Sequence, residues 1–195
     1  LRAGLAPAMP EGWSVALATP GTHPQTGLAM ALAEVLPSTP ETFKELLQFV
    51  DPEIEVSVVK KWRERHSECL LILDQFEELF TLNPKEVQNS FSSLLDRLIR
   101  EAGVRVLLSI RDDFLLRCHG LAPLDSIFEN LIPIGPLAGP ALEQALVEPA
   151  AKCGYQFESE ELVERILGEG EGERGALPQL AFAAARMWDR RDQEA

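Results

Sequence analysis

A chain of 195 residues, 25% charged and 46% hydrophobic, has an ordinary globular composition. Its length allows one good core, or a core domain with a small satellite. The formal net charge of −13 argues against a non-specific nucleic-acid or anionic-membrane surface, although it leaves room for a local basic patch. No apolar stretch approaches the ~20 residues of a membrane span, and Leu1 to Pro10 lacks the apolar core of a signal peptide.

Leu1-Arg2-Ala3-Gly4-Leu5 carries no capping residue and reads as the tail of a helix. Trp13 to Ala18 has the apolar density of a strand, and Pro20-Gly21 ends it. Thr22-His23-Pro24 then opens a helix with a stripe of Leu28, Leu32 and Leu36, flanked by Ala29 and Val35. Thr39-Pro40 and Asp51-Pro52 each place a capping residue before a proline at the first helical position. The helices they open have apolar stripes of Phe43, Leu46, Leu47 and Val50, and of Ile54, Val58, Val59 and Trp62.

Cys69 to Leu73 is a continuous apolar run, the pattern of a strand buried on both faces of a parallel sheet. Asp74 ends it abruptly, and Glu77 and Glu78 follow three and four residues on. A helix starting near Gln75 would turn both acids back toward Asp74. Three acids at the carboxyl end of a buried strand repel one another unless something positive sits among them. Open α/β sheets bind ligands at that edge, and a divalent metal carrying a nucleotide phosphate suits oxygen ligands.

Asn83-Pro84-Lys85-Glu86 is a capping-box pattern. The helix it starts presents Val87, Phe91, Leu94, Leu95 and Leu98, and Gly103 ends it. Val104 to Ile110 is the next strand, with Arg111 at its carboxyl end. If it lies parallel to the 69–73 strand, ~4.8 Å away, Asp74 and Arg111 share one rim. Either Asp74 holds a metal while Arg111 meets a phosphate, or the two form a buried ion pair. Position alone leaves both open.

Leu131 to Ile134 reads as a short strand that Pro133 confines to an edge or a strand end. Pro136, Gly139 and Pro140 mark a subdomain boundary, giving a core over residues 1–137 and a second part over 138–195. The second part reads as helical over Pro140 to Ala151, Ser159 to Leu167 and Ala176 to Arg190. Pro149 is expected to kink or end the first of these, and Glu169 to Glu173 reads as a solvated loop. Arg186, Arg190 and Arg191 read as a solvated helix face. Cys69, Cys118 and Cys153, with His23, His66 and His119, are too scattered for a zinc site and read as reduced thiols of a cytosolic protein. Cys118-His119 lacks an orienting third group, so Cys118 reads as an ordinary thiol rather than a nucleophile.

Leu70-Leu71-Ile72-Leu73-Asp74-Gln75-Phe76-Glu77-Glu78-Leu79-Phe80 resembles the Walker B segment of STAND-class P-loop NTPases, the signal-transduction ATPases related to NACHT and NB-ARC proteins. The likeness is to the bacterial "novel STAND" branch, often fused to WD-type repeats, and it runs over nearly the whole chain. It implies an α/β fold: a P-loop NTPase-like parallel sheet with flanking helices, followed by a small helical lid. It implies ATP and Mg²⁺ as cofactors. By the same resemblance Asp74 would hold Mg²⁺, Glu77 or Glu78 would orient or activate the attacking water, and Arg111 would be the sensor 1 arginine that reads the γ-phosphate. Gly175-Ala176-Leu177-Pro178 resembles the lid signature in which the proline packs near the adenine; a loop glycine ahead of a first-turn proline is the alternative. Gln75 stands where many AAA+ proteins have glutamate, so the choice between Glu77 and Glu78 stays open.

No Gly-x-x-x-x-Gly-Lys-Ser/Thr occurs in the 195 residues. That loop supplies the N–H cradle and the lysine for the phosphates. The resemblance places it just ahead of Leu1-Arg2-Ala3, so the chain reads as cut inside an ATPase domain, with a degenerate protein as the alternative. On either account these residues alone are expected to bind ATP poorly. The expected function is a cytoplasmic, nucleotide-dependent switch that hydrolyses ATP slowly, with nucleotide between core and lid. Its expected partners are other domains of the same chain and further copies of itself on activation, with no membrane and no nucleic acid. The alternative is a catalytically inactive structural or oligomerisation module. A DNA-loading or transcription-regulating AAA+ relative is disfavoured by the acidic balance.

Overall fold

A computed structural model describes residues 4–49, 51–135, 137–168 and 176–191. The chain divides into two compact units, Leu1–Leu131 and Ile132–Ala195. Leu1-Arg2-Ala3, Gly175 and the 169–173 loop lie outside the described residues.

The first unit is built on a three-stranded parallel sheet in the order β1 (Trp13–Ala18), β2 (Glu68–Leu73), β3 (Arg105–Leu108). Ala18 pairs with Leu73, and Leu73 with Leu108, so the three strands end at one level. In β2, Cys69 to Leu73 is buried throughout, as a central strand with both faces covered must be. Parallel neighbours need crossovers. The first runs through α1 (Pro24–Val35), α2 (Pro40–Leu47) and α3 (Pro52–Arg63); the second through α4 (Glu78–Leu82) and α5 (Lys85–Ala102). Leu28 and Leu32 of α1, Val58, Val59 and Trp62 of α3, and Phe91, Leu94, Leu95 and Leu98 of α5 fill the core.

Local chemistry explains most boundaries. Thr39 accepts the Thr42 N–H at 3.1 Å and Asp51 accepts the Glu53 N–H at 2.9 Å, each capping a helix whose first residue is proline. Gly103, at φ 66, ends α5 in the left-handed conformation that glycine adopts without penalty. A short helix, α6 (Leu115–Cys118), follows β3.

Four expectations need correction. Asn83 does not cap α5, because its side-chain amide is turned to other carbonyls. Leu47 is 70% exposed, because α2 ends there and the following turn buries Phe49 instead. Leu131 to Ile134 is no strand: among the described residues no neighbour pairs with it, and Ile132 and Ile134 are exposed. The strand expected over Val104 to Ile110 shortens to Arg105–Leu108, since Ser109 leaves the ladder to bond the turn after β2.

The second unit contains α7 (Pro140–Lys152), α8 (Glu160–Gly168) and α9 (Ala176–Asp189). Leu142, Leu146, Val163 and Leu180 form its buried core, with Phe157, Ile166 and Met187 packed on it. Ser159 caps α8 by accepting the Leu162 N–H at 3.2 Å. Pro149 does not end α7, which continues to Lys152. Among the described residues no helix is long and apolar enough to cross a membrane.

Candidate functional site

The carboxyl ends of the three strands form a rim that collects the acids and the arginine picked out in the sequence. β2 delivers Asp74 and the adjacent, parallel β3 leads to Arg111, so the two charges leave neighbouring strands at the same end. The backbone there is held from both sides. Asp74 N–H donates to Ala18 O at 2.9 Å, Ser109 N–H to Leu73 O at 2.9 Å, and Phe76 N–H to Ser109 O at 2.8 Å.

Gln75 sits between these anchors at φ 53, the left-handed region that a non-glycine residue enters at roughly 1–2 kcal/mol. Its N–H donates to Asp74 Oδ1 at 3.0 Å. Phe76, Leu79 and Phe80 are buried just after it, the two rings meeting edge to face at 5.9 Å. That i, i+3, i+4 set pins the turn to the core and leaves Asp74, Glu77 and Glu78 only partly buried.

The three acids do not converge. Among the described residues no three His, Cys, Asp or Glu side chains form a group that could hold a metal. The expected helix near Gln75 begins only at Glu78, because the left-handed turn intervenes. Glu78 Oε2 instead accepts the Gly21 N–H at 3.1 Å. Glu77 Oε2 is buried without a hydrogen-bond partner. Asp74 has one oxygen committed to the Gln75 N–H, which leaves the chemistry of the other suited to a cation. Mg²⁺ commonly takes one or two carboxylates, with water and phosphate completing its shell, so these residues fit that ion as a single-carboxylate site and not as a cage.

Asp74 and Arg111 do not form the ion pair that position alone allowed. Arg111 donates instead to Asp113, Nε to Oδ1 at 3.1 Å and Nη2 to Oδ2 at 2.9 Å, with both side chains more than half exposed. Such a surface pair is worth ~0–1 kcal/mol, so the guanidinium is held in place yet easily transferred to a stronger anion. Phe114 lies between Arg111 and Arg117, at 5.8 and 4.9 Å.

Two cavities lie elsewhere. One of about 660 Å³ is bounded by Pro52, Val56 and Lys60 of α3 and Arg97 of α5. The other, about 400 Å³, is bounded by Gly139, Leu142, Glu164 and Leu167 in the second unit. Neither is lined by Asp74, Glu77, Glu78 or Arg111, and the larger is excluded as a reaction site by its chemistry: Arg97 there is already committed to Glu55, Glu101 and the Pro52 carbonyl. Cys118 is fully buried and its thiol is pushed up to about 11 by that burial, which makes it a poor nucleophile. Pro178 lies exposed in the first turn of α9, where its missing N–H interrupts no helical bond.

The sequence matches the family described as Novel STAND NTPase 1 over residues 1–195. The chain belongs to that family. No curated protein and no solved structure matches it. The small parallel sheet with its many helices is consistent with an NTPase-like fold. In this STAND NTPase module, Gly21, Asn83 and Asp113 are the rim residues that sequence reasoning passed over. Asp113 carried a signal, being two residues from Arg111. Gly21 and Asn83 carried none, since their partners lie 57 to 62 residues away.

Proposed function

We propose that the module is the nucleotide-responsive part of a signal-transduction ATPase, a switch that takes ATP with Mg²⁺ at the carboxyl rim of the sheet and hydrolyses it slowly. The observation that supports this is that Asp74 and Arg111 follow adjacent parallel strands at the same end, with Arg111 paired to the exposed Asp113 and not to Asp74. Bound Mg²⁺ would neutralise charge on the β- and γ-phosphates. Asp74 would hold the ion. Arg111, released from Asp113, would meet the γ-phosphate, an exchange favoured because phosphate offers a guanidinium a bidentate, doubly charged partner. An acid of the Glu77-Glu78 pair would orient the attacking water. The helical unit around Pro178 is the responsive element in this scheme. WD-type repeats of the same chain and further copies of the protein are its proposed partners, in the cytoplasm.

The test uses a chain that carries a phosphate-binding loop ahead of residue 1. Asp74→Ala there should reduce hydrolysis to background while thermal unfolding stays cooperative; undiminished turnover removes Asp74 from the site. A second possibility, a catalytically inactive structural module, is favoured by the rim acids failing to converge: among the described residues no three His, Cys, Asp or Glu side chains form a group that could hold a metal. A nucleotide titration of that longer chain separates the two, since only the switch binds ATP more tightly when Mg²⁺ is added.

A further inference from the structure

Glu77 and Glu78 are adjacent in sequence and differently placed. Glu78 is the first residue of α4, and Asn83 is the residue that closes it. Both reach one glycine. Glu78 Oε2 accepts the Gly21 N–H at 3.1 Å, and Asn83 Nδ2 donates to the Gly21 carbonyl at 2.7 Å. The same Asn83 amide nitrogen lies 3.3 Å from the Glu78 carbonyl, and the Asn83 carbonyl accepts from Gln88 Nε2 at 2.8 Å. Gly21 is the turn between β1 and α1, at φ 56, with open space where a Cβ would stand. Its two backbone polar groups are therefore satisfied by side chains from the segment that follows the neighbouring strand β2. Such bonds are directional, so they fix where the turn sits.

Glu77 has the opposite character. It stands at the N-cap position of α4 but its side chain makes no capping bond, and among the described residues its buried Oε2 has no partner. A buried carboxylate oxygen carries a full desolvation penalty until a donor reaches it. Glu78 has its donor already.

We propose that the two acids have separate duties: Glu78 is a positioning residue that clasps the Gly21 turn at the rim, and Glu77 is the acid left to receive a hydrogen bond from the attacking water. The second half rests on the ATPase reading above; the first half does not.

Amide hydrogen exchange at Gly21, followed by NMR on the present chain without nucleotide, tests the clasp. Glu78→Ala should speed Gly21 exchange by about five- to tenfold, the loss of one hydrogen bond. Glu78→Gln should stay within about twofold of the parent, because an amide oxygen accepts the same bond. Asn83→Ala, which frees the turn from its carbonyl side, is the second variant should Glu78→Ala unfold. Gly21 exchange that is unchanged in Glu78→Ala and Asn83→Ala, or equal in Glu78→Gln and Glu78→Ala, overturns the clasp. In the chain with a phosphate-binding loop, Glu77→Gln should lose turnover with nucleotide affinity kept. Glu78→Gln should lower turnover far less than Glu77→Gln does, and Glu78→Ala should raise KM more than it lowers kcat. An active Glu77→Gln beside a dead Glu78→Gln reverses the assignment. A parent chain with no hydrolysis at all sinks the ATPase reading and with it the duty given to Glu77, while the exchange result still decides the clasp.

Discussion

The two units solve the problem of burying apolar surface differently. In the first, β2 is covered on both faces, and Trp62, Phe76, Phe91, Leu71 and Leu95 are among the side chains less than 2% exposed. In the second, three helices meet along a seam whose buried members are Leu142, Leu146, Val163 and Leu180. A sheet offers two faces to cover, whereas a trio of short helices offers one stripe each. The second unit has a correspondingly small buried cluster. It leaves Phe182 64% and Trp188 39% exposed. The acids and the arginine of the rim belong to the first unit, whose buried core is the larger of the two.

Truncation in each core is the strongest way to break that contrast. Leu71→Ala should destabilise the first unit by about 2–5 kcal/mol, the range for a leucine with no room to relax around it. Leu146→Ala should lie near the lower end of that range and should melt helix without disturbing the sheet. Far-UV circular dichroism during urea unfolding reads the helices, and exchange of the β2 amides reads the sheet. If Leu146→Ala unprotects the β2 amides as strongly as Leu71→Ala does, the two cores are one cooperative system and the distinction fails.

The thiols sharpen the same contrast without a mutation. Cys69 and Cys118 belong to the first core and Cys153 is exposed in the second unit. Burial pushes both buried thiols up to about 11; at Cys69 the Arg63 charge opposes this and Glu68 adds to it. Since only the thiolate reacts, a disulfide reagent at pH 8 should modify Cys153 at least about a hundredfold faster than the other two. One fast equivalent is expected in the native chain and three in denaturant. Two or three fast equivalents in native buffer would mean that the first core opens as readily as the second.

What the sequence made legible follows from the range of the forces involved. β1 spans the residues that apolar density marks, and Asp74 stops β2 where a charge must leave the core. Thr39 and Asp51 cap as expected, because their partners are three and two residues away. The failures are non-local. Asn83 matches a capping box, yet its Nδ2 donates to the distant Gly21 carbonyl and its side chain makes no cap to α5. Leu131 to Ile134 has strand composition, but a strand exists only with a neighbour to pair. Nothing in Asp74-Gln75-Phe76 announces a left-handed residue, since neither glycine nor asparagine stands at 75; the anchors at Ala18 and Ser109 impose it. Hence the end of β2 before Asp74 was readable, while the early end of β3 and the separation of Glu77 from Glu78 depend on contacts distant in sequence.

The smallest expected effect comes from a carboxyl buried inside the first unit. Glu55 of α3 is 3% exposed, with Arg97 of α5 at 3.6 Å. Burial lifts its pKa above the ordinary 4.5, the Arg97 guanidinium pulls it back, and Asp51 raises it again; the net direction is upward. Between 4.5 and that raised value the folded chain therefore holds more protons than the unfolded chain. Stability attributable to Glu55 is then greatest below pH 4.5 and declines as pH climbs through the window, the reverse of a carboxylate whose pKa is depressed. Glu55→Gln removes the titration and does not strand Arg97, which keeps Glu101 at 3.6 Å and the Pro52 carbonyl. Urea unfolding of parent and variant across pH 4 to 8 should thus show a gap that shifts in the variant's favour with rising pH and then levels. A gap that shifts the other way, or none, would show that Arg97 outweighs burial at this position, and that the first unit tolerates a buried charge its core was built to exclude.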